Sequence, residues 1–221
     1  MLRRFGLIAA CLLSIGTTGA SAQQDPLLRE IEGLGWRVAP AIGTIASVAQ
    51  VRLSGDLRFL DAQPTSRFLE LNGNPPSGGN YTLAPRSMNW FAIFSYNPSG
   101  YVRDDERLNP DELLRALQRK NEADIAERRR LGFPILKLTG WAVSPHYDVE
   151  TRRLEWGTRL TAEDGLVTVN YTTRLLGRSG VINVILVSSP ETLNSDIQAF
   201  RAALRGFDFM PGERYTEFRQ G

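Results

Sequence analysis

His146 is the only histidine in the chain, and histidine is the side chain best suited to acid–base chemistry near neutral pH. Asp148 follows two positions later, and residues two apart on an extended segment lie on the same side. His146 with Asp148 or Asp105 could therefore form part of a Ser-His-Asp type of site. No Gly-x-Ser-x-Gly motif accompanies them, so residues 145–148 are more simply a turn in which Asp148 caps backbone N–H groups.

Metal chemistry has little support in the composition. The chain has one histidine, and its single cysteine, Cys11, lies in the export signal described below, so the ligands of a usual zinc site are lacking. Residues 104–106 offer oxygen ligands for Ca²⁺, but adjacent carboxylates on an extended segment point to opposite sides. We predict no metal and no cofactor, and interpret the acidic run as a solvated turn before a helix.

Glu155 and Asp148 could act as a pair of catalytic carboxylates. Glu155, however, alternates with apolar residues along its strand and shares a face with Arg153 and Arg159. We interpret that face as polar and outward, with Glu155 in ordinary cross-strand ion pairs.

A second group of side chains suits binding rather than catalysis. Trp141 and Tyr147 could form an aromatic platform at the edge of a sheet. Tyr101 and Asp104 belong to the acidic approach to a helix, and Arg178 lies in a turn that is too short to be a phosphate loop. These five residues are the binding candidates that the sequence offers.

The order of periodic segments predicts an α+β domain on an antiparallel sheet. Four strands joined by tight turns predict a meander over about 135–188. Earlier strands are predicted at residues 44–53, 57–60, 81–86 and 89–96, with 44–53 as a single strand. Two main helices, at about 110–131 and 190–205, should cover the sheet. One face of the first meander strand is predicted to carry Leu136, Leu138, Gly140 and Ala142.

Local signals place the ends of the longer helix. Asn109 is a good N-cap and Gly132 a stop signal, whereas Asn121 interrupts the apolar stripe between them. Arg128 begins a run of three arginines, interpreted as a solvated end where positive charge favours the helix dipole. Contact of this run with anionic lipid headgroups is the alternative.

The N-terminus has the pattern of a secretory signal peptide. Two arginines precede a short apolar run over residues 7–15, and Ala20-Ser21-Ala22 provides small residues for cleavage after Ala22. The predicted organisation is a signal peptide over 1–22, a polar linker or short helix over 23–35, and one domain over 36–221. No other segment has the roughly 20 apolar residues of a membrane span.

Removal of the signal changes what the charge implies. Its two arginines leave 24 basic against 24 acidic residues, so the mature chain has no net charge and does not favour nucleic acid. It also has no cysteine, and an exported domain without disulfides fits the bacterial periplasm. Cys11 lies in a sequence similar to a lipoprotein cleavage box, so lipidation there is an alternative route to the membrane.

Six ordered motifs resemble the bacterial family called domain of unknown function 2167, from about Trp36 to the end. They are Gly100-Tyr-Val-x-Asp-Asp, Gly140-Trp with Pro145-x-Tyr-Asp, Leu154-x-Trp, Asn170-Tyr, Leu176-Gly-Arg-x-Gly and Pro211-Gly-x-x-Tyr215. The resemblance implies an exported domain held at a membrane, usually by apolar helices after the domain. This sequence reaches Gly221 without them, which leaves a truncated chain, a soluble member or anchoring at Cys11 as alternatives.

Two hypotheses of function follow. The first is a non-enzymatic envelope module that binds a protein, a ligand or the membrane surface through its sheet or through residues 144–150. The second is a periplasmic hydrolase or lyase that uses His146 with Asp148 or Asp105.

Overall fold

A computed structural model describes residues 26–103, 109–148, 151 and 153–219 of the chain. The predicted signal segment, with cleavage after Ala22 and the alternative at Cys11, lies outside the described residues. The candidates Asp104 and Asp105 also lie outside them.

The described elements confirm an α+β domain with a mainly antiparallel sheet. The strands are β1 Arg37–Val38, β2 Ala41–Ile45, β3 Ala49–Leu53, β4 Leu57–Leu60, β5 Asn80–Pro85, β6 Phe91–Asn97, β7 Leu136–Asp148, β8 Arg153–Ala162, β9 Val167–Leu176, β10 Val181–Ser188 and β11 Phe207–Phe209. The α-helices are α1 Pro26–Glu32, α2 Ala62–Leu71, α3 Pro110–Leu131 and α4 Leu193–Ala203. Short 3₁₀ helices follow at Leu204–Gly206 and Tyr215–Glu217.

Eight strands form the main sheet in the order β1-β4-β5-β6-β10-β9-β8-β7, and β11-β3-β2 form a smaller sheet. Strands β7 to β10 are neighbours in chain order, so the predicted meander is confirmed. The longer predicted helix is confirmed as α3. Its first turn is capped because Asn109 Oδ1 accepts hydrogen bonds from the N–H groups of Asp111 and Glu112, at 3.0 and 3.2 Å.

Both faces of the main sheet are covered. On one face, β9, β10 and β6 pack against the small sheet and α4 through a core that includes Tyr171, Val184 and Phe200. On the other face, α2 packs on β6 and β10, and α3 packs on β7 and β8. No helix within the described ranges combines the length and the apolar character that a bilayer span requires.

Residues 44–53 do not form the single strand predicted from their alternation. They belong to a tight hairpin of β2 and β3, because Ala46 and Ser47 have positive φ values of 47° and 58°. Turns with two positive φ values usually have Asn, Asp or Gly at those positions. Alanine and serine gave no such signal in the sequence.

Strand β7 differs from the prediction in two respects. Its register with β8 shifts between Leu138 and Gly140, where Gly140 has a φ of 152°. The bulge moves Ala142 to the core shared with α4, whereas Leu138 packs under α3, so the two residues do not share a face. Residues 145–148 continue the strand instead of forming a turn.

Two polar residues of α3, Asn121 and Arg128, are buried. The Asn121 side chain donates to the Leu136 carbonyl at 2.9 Å and accepts from the Leu138 N–H at 2.8 Å, which ties the helix to β7. Arg128 is 3% exposed and donates to the carbonyls of Gly73 and Pro134 at 3.0 and 3.1 Å. The prediction of a solvated Arg128 was therefore wrong.

Candidate functional site

Glu155 is a fully buried carboxylate in the middle of the fold. Its side chain is 1% exposed, so the prediction of an outward, solvated Glu155 was wrong. The Tyr171 hydroxyl donates to Glu155 Oε2 at 2.5 Å, and Thr173 Oγ1 donates to Glu155 Oε1 at 3.2 Å. Both donors lie on β9, whose residue Thr173 is directly opposite Glu155 in the register.

Helix α4 supplies the counter-ion of this carboxylate. Arg201 donates to Glu155 Oε2 and, at 3.1 Å, to the Tyr171 hydroxyl oxygen. The Arg201 guanidinium also lies 3.9 Å from the carboxylate of Asp148 at the end of β7. Asp148, Glu155, Tyr171, Thr173 and Arg201, together with His146, are called the charged cluster below.

His146 lies at the edge of the charged cluster. Its ring nitrogen Nε2 is 3.7 Å from Glu155 Oε2, and Nδ1 is 3.1 Å from the Ser144 carbonyl oxygen. A carbonyl can only accept, so Nδ1 donates in this contact. Within the described part of the chain, no serine or threonine hydroxyl bonds to the ring. The structure thus brings His146 and Asp148 to one cluster, whose described hydroxyls, on Tyr171 and Thr173, are bonded to Glu155 and not to the His146 ring.

The Tyr171 hydroxyl is held in its protonated form. The pKa of Tyr171 is raised above its usual range. Burial is the main cause, and the hydrogen bond to the Glu155 carboxylate is the second. A hydroxyl that keeps its proton acts as a hydrogen-bond donor to Glu155 rather than as a base. Within the charged cluster, the Glu155 carboxylate is thereby engaged by Tyr171, Thr173 and Arg201.

The raised pKa of Tyr171 predicts a loss of stability at alkaline pH. In the unfolded chain a tyrosine ionises near pH 10, whereas folded Tyr171 keeps its proton. The folded state therefore binds more protons above that pH, and stability should fall by up to about 1.4 kcal/mol per pH unit. Urea unfolding between neutral and alkaline pH should show this fall in the parent protein, and Tyr171→Phe should lack this part of it.

The control is Tyr147→Phe, which alters a tyrosine that is 43% exposed. Its stability should follow the parent protein across the same pH range. Parallel curves for the parent and Tyr171→Phe would contradict the assignment of the alkaline loss to Tyr171.

Several connections of the fold meet at one end of the main sheet, which we call the hairpin end. It comprises Asp148 and Arg153, which face each other in the register of β7 and β8, and the turn 177–180 between β9 and β10. Residues 98–101 reach this turn through the hydrogen bond from Gly100 N–H to the Ser179 carbonyl. The C-terminal residues 210–219 reach it through the bridge between Gly177 and Arg214.

A pocket of about 260 Å³ opens at the hairpin end between the two sheets. Its walls are largely apolar, with an arginine on one side. They include Arg153, Leu175, Leu176, Phe207, Phe209 and Tyr215. Arg153 lies two positions before Glu155 on β8, and Leu175 two positions after Thr173 on β9, so the pocket directly adjoins the charged cluster.

Arg153 is half-buried in the pocket wall and lacks an ion pair with any described residue. Burial lowers the pKa of its guanidinium, and the nearby Arg201 charge acts in the same direction, while Glu155 and Asp148 oppose both effects. The other charged lining residue, Asp208, is already paired with Arg214 at 2.8 Å. Of the two charged residues that line the pocket, Asp208 therefore has an ion-pair partner, and Arg153 has none among the described residues.

Two residues predicted from the sequence hold the C-terminal wall of the pocket. Tyr101 stacks on Tyr215 and Phe218, with ring centroids 4.8 and 3.8 Å apart. The Arg178 N–H donates to the Glu213 carbonyl at 2.8 Å, and its guanidinium lies 3.8 Å from the Glu213 carboxylate. Tyr101 and Arg178 therefore position Tyr215 rather than line the pocket themselves.

The two aromatic candidates of β7 lie apart from each other. Trp141 is opposite Thr158 and Tyr147 is opposite Leu154, so about four residues, or roughly 13 Å, separate them along β8. This spacing is too long for a single aromatic platform. Tyr147 belongs to the hairpin end, whereas Trp141 lies further back along the strand.

The described residues contain no group of three or more His, Cys, Asp or Glu side chains arranged to hold a metal ion. The charged cluster brings together His146, Asp148 and Glu155, but two of its members are engaged by Arg201. Its chemistry is that of a paired ionic network rather than a cation site.

Sequence reasoning did not identify Arg153 and Arg201 as site residues. Arg153 appeared as one of several outward charges on a strand. Arg201 lies four positions after Ile197, beside the apolar stripe of α4, and that position at the margin of a buried face was the available signal. The contact between Arg201 and Glu155 joins residues 46 positions apart, which local patterns do not reveal.

Comparison with known proteins bears on family and fold. No curated protein sequence matches the chain at a significant level. The solved structures with detectable similarity include the solution structure of cyanobacterial PsbP (CyanoP) from Synechocystis sp. PCC 6803, at 9% identity and a TM-score of 0.43, covering 88% of this chain and 100% of that one. The family described as "Protein of unknown function (DUF2167)" matches residues 39–221. The match covers most of the chain, so the protein belongs to the DUF2167 family.

Proposed function

We propose that the protein is an exported, non-enzymatic binding module of the bacterial envelope, and that it binds its partner through the hairpin end. The observation that carries the proposal is the pocket, which has apolar walls and one arginine without an ion pair among the described residues. Apolar walls with a few polar groups that fix orientation are typical of binding sites. Export is supported by the signal-peptide pattern of residues 1–22.

The charged cluster supports binding better than catalysis. Its carboxylate Glu155 is buried and accepts from Tyr171, Thr173 and Arg201, so it has little capacity left for a substrate proton. Tyr171 keeps its proton, as its raised pKa indicates. A network of this kind fixes the relative positions of β8, β9 and α4, and so supports the pocket beside it.

A hydrolase or lyase that uses His146 is the second candidate. One observation favours it: the ring lies 3.7 Å from Glu155 and its Nδ1 is oriented by the Ser144 carbonyl, as in an oriented general base. The enzyme hypothesis requires that His146→Ala abolish the cellular function. The binding hypothesis predicts that this exposed histidine can be replaced without that loss.

Photocrosslinking in the native host tests the binding surface. A benzoylphenylalanine residue replaces Thr216, an exposed residue of the pocket wall, in the full chain. The control places benzoylphenylalanine at position 139 instead. Thr139 is exposed on β7 beside Leu138, far from the hairpin end. We expect irradiation to give discrete adducts from position 216 only. Equal adducts from both positions, or none from position 216, would contradict a binding role for the hairpin end.

The export part of the proposal has a separate test. The mature protein should begin at Gln23 and appear in the periplasmic or envelope fraction. Edman sequencing of the fractionated protein identifies its first residue. A protein that retains Met1 and stays with cytoplasmic markers would refute export but would leave the binding surface untouched.

A further inference from the structure

The pocket has the features of a site for a small acid, a conclusion that rests on the proposed binding role of the hairpin end. We infer that it binds a ligand with a compact apolar body and a carboxylate, and that Arg153 is the counter-charge. The apolar body would lie between β9 and β11, with the carboxylate directed towards β8.

The apolar part of the site is formed by two layers. Leu175 on β9 belongs to the main sheet, and Phe207 and Phe209 on β11 belong to the small sheet that packs over it. The two phenylalanine rings meet edge to face with centroids 5.1 Å apart, and Phe207 stacks on Phe94 behind them. Such a wall is rigid and offers apolar surface rather than hydrogen bonds.

The size of the pocket limits the ligand. A volume of about 260 Å³ is near the lower end of the range for drug-sized sites. It suits one ring or a short branched chain with a single polar end. A nucleotide, an extended peptide or a lipid with two long chains would not be enclosed.

The charges at the pocket select the polar end of the ligand. A guanidinium has five N–H donors and no acceptor, so Arg153, which has no ion pair among the described residues, can offer these donors to an acceptor on a ligand. Carboxylates match the planar fork of arginine with two parallel hydrogen bonds. Glu155 is occupied by Arg201, and Asp208 is occupied by Arg214, so neither of these acids serves Arg153 directly. An incoming carboxylate supplies that acceptor, whereas a neutral amide of the same shape offers a weaker one.

The C-terminal residues close the remaining side of the pocket. Tyr215 lines the pocket and is fixed from behind by the stack on Tyr101. Its neighbour Thr216 is exposed at the rim, which places the entrance at the hairpin end. The ligand would therefore be recognised at the surface that the crosslinking experiment samples.

Isothermal titration calorimetry of the full chain tests the assignment, with 3-phenylpropionate as the acid and 3-phenylpropanamide as its neutral counterpart. The parent protein should bind the acid with a dissociation constant of about 1 mM or lower, and the amide about tenfold more weakly. In Arg153→Met the acid should lose about tenfold in affinity while the amide changes little. The matched control, Arg159→Met, alters an exposed arginine of the same strand and should bind the acid as the parent does.

A second variant separates loss of charge from loss of fold. Arg153→Lys retains the charge without the planar fork and should bind the acid with intermediate affinity. Equal binding of acid and amide by the parent, unchanged acid binding in Arg153→Met, or no binding of the acid would each overturn the inference. Adducts from position 216 together with an absence of acid binding would reject the ligand class and retain the binding surface. Acid binding without adducts from position 216 would retain the ligand class and reject the hairpin end as the surface that binds a partner.

Discussion

Replacing Arg201 by methionine is expected to lower the free energy of unfolding by about 3 kcal/mol, near the lower end of the cost of breaking a buried ion pair. The cost arises because Glu155, 1% exposed, would keep a buried charge without its cation. We place it at the lower end because the Arg201 side chain is 40% exposed and water can partly replace it. Urea unfolding followed by far-ultraviolet circular dichroism measures the change.

A double-mutant cycle isolates the contact between Arg201 and Glu155. Glu155→Gln removes the charge that Arg201 compensates, so the double variant Glu155→Gln/Arg201→Met should be more stable than additivity of the single variants predicts, by at least about 1 kcal/mol. The control Arg205→Met changes an exposed arginine one turn later and should alter stability by no more than about 0.5 kcal/mol. Additive effects of the two cluster substitutions would show that the carboxylate does not depend on Arg201.

The second large effect concerns Arg128, which joins the ends of α2 and α3. Arg128→Met should cost about 3 kcal/mol or more, because removal of a buried, multiply bonded cation leaves its acceptors unpaired. The acceptors are the carbonyls of Gly73 and Pro134 and the side-chain oxygen of Asn74, which receives a hydrogen bond of 2.7 Å. The neighbouring variant Arg129→Met, at an exposed position, provides the matched control and should change stability by about 0.5 kcal/mol or less.

Chemical denaturation of both arginine variants gives the comparison directly. A lower midpoint with an unchanged denaturant slope is expected for Arg128→Met, since the native fold is weakened without being altered. Equal midpoints for the Arg128 and Arg129 variants would contradict a stabilising role of Arg128 and would support a solvated helix end at residues 128–130.

The parts of the fold that were predictable from the sequence are those with strong local signals. The cap at Asn109 and the stop at Gly132 placed α3, whose ends match the prediction. The meander was predictable because its strands alternate clearly and are joined by short turns. The hairpin at Ala46 and Ser47 was not, because neither residue is typical of a turn with positive φ values. The bulge at Gly140 was missed although an isolated glycine within a strand is a signal for one.

The candidate site was only partly predictable for a different reason. Alternation along β8 shows that Arg153, Glu155 and Arg159 share a face, but it does not show what packs on that face. Helix α4 covers Glu155 with Arg201, while Arg159 remains exposed. One strand face is therefore core at one position and surface at another, and only the tertiary structure distinguishes them.

Four of the candidate residues named from the sequence lie close together in the fold. Tyr101, Tyr147, Asp148 and Arg178 all lie at the hairpin end, because adjacent antiparallel strands bring distant turns to the same edge. Tyr101 and Arg178 hold the wall of the pocket, and Asp148 belongs to the charged cluster. Arg153, the residue that we propose for ligand recognition, lies opposite Asp148 in the register of β7 and β8.

The most direct test of a binding role for the hairpin end is a competitive fitness assay in a strain that lacks the gene, complemented with single variants. Thr216→Trp places a large side chain at the rim of the pocket, Thr139→Trp is the same change at a remote exposed position, and His146→Ala removes the candidate base. We predict that Thr216→Trp behaves as the deletion, whereas Thr139→Trp and His146→Ala behave as the parent. Full complementation by Thr216→Trp together with failure of His146→Ala would contradict the binding role and support an enzyme.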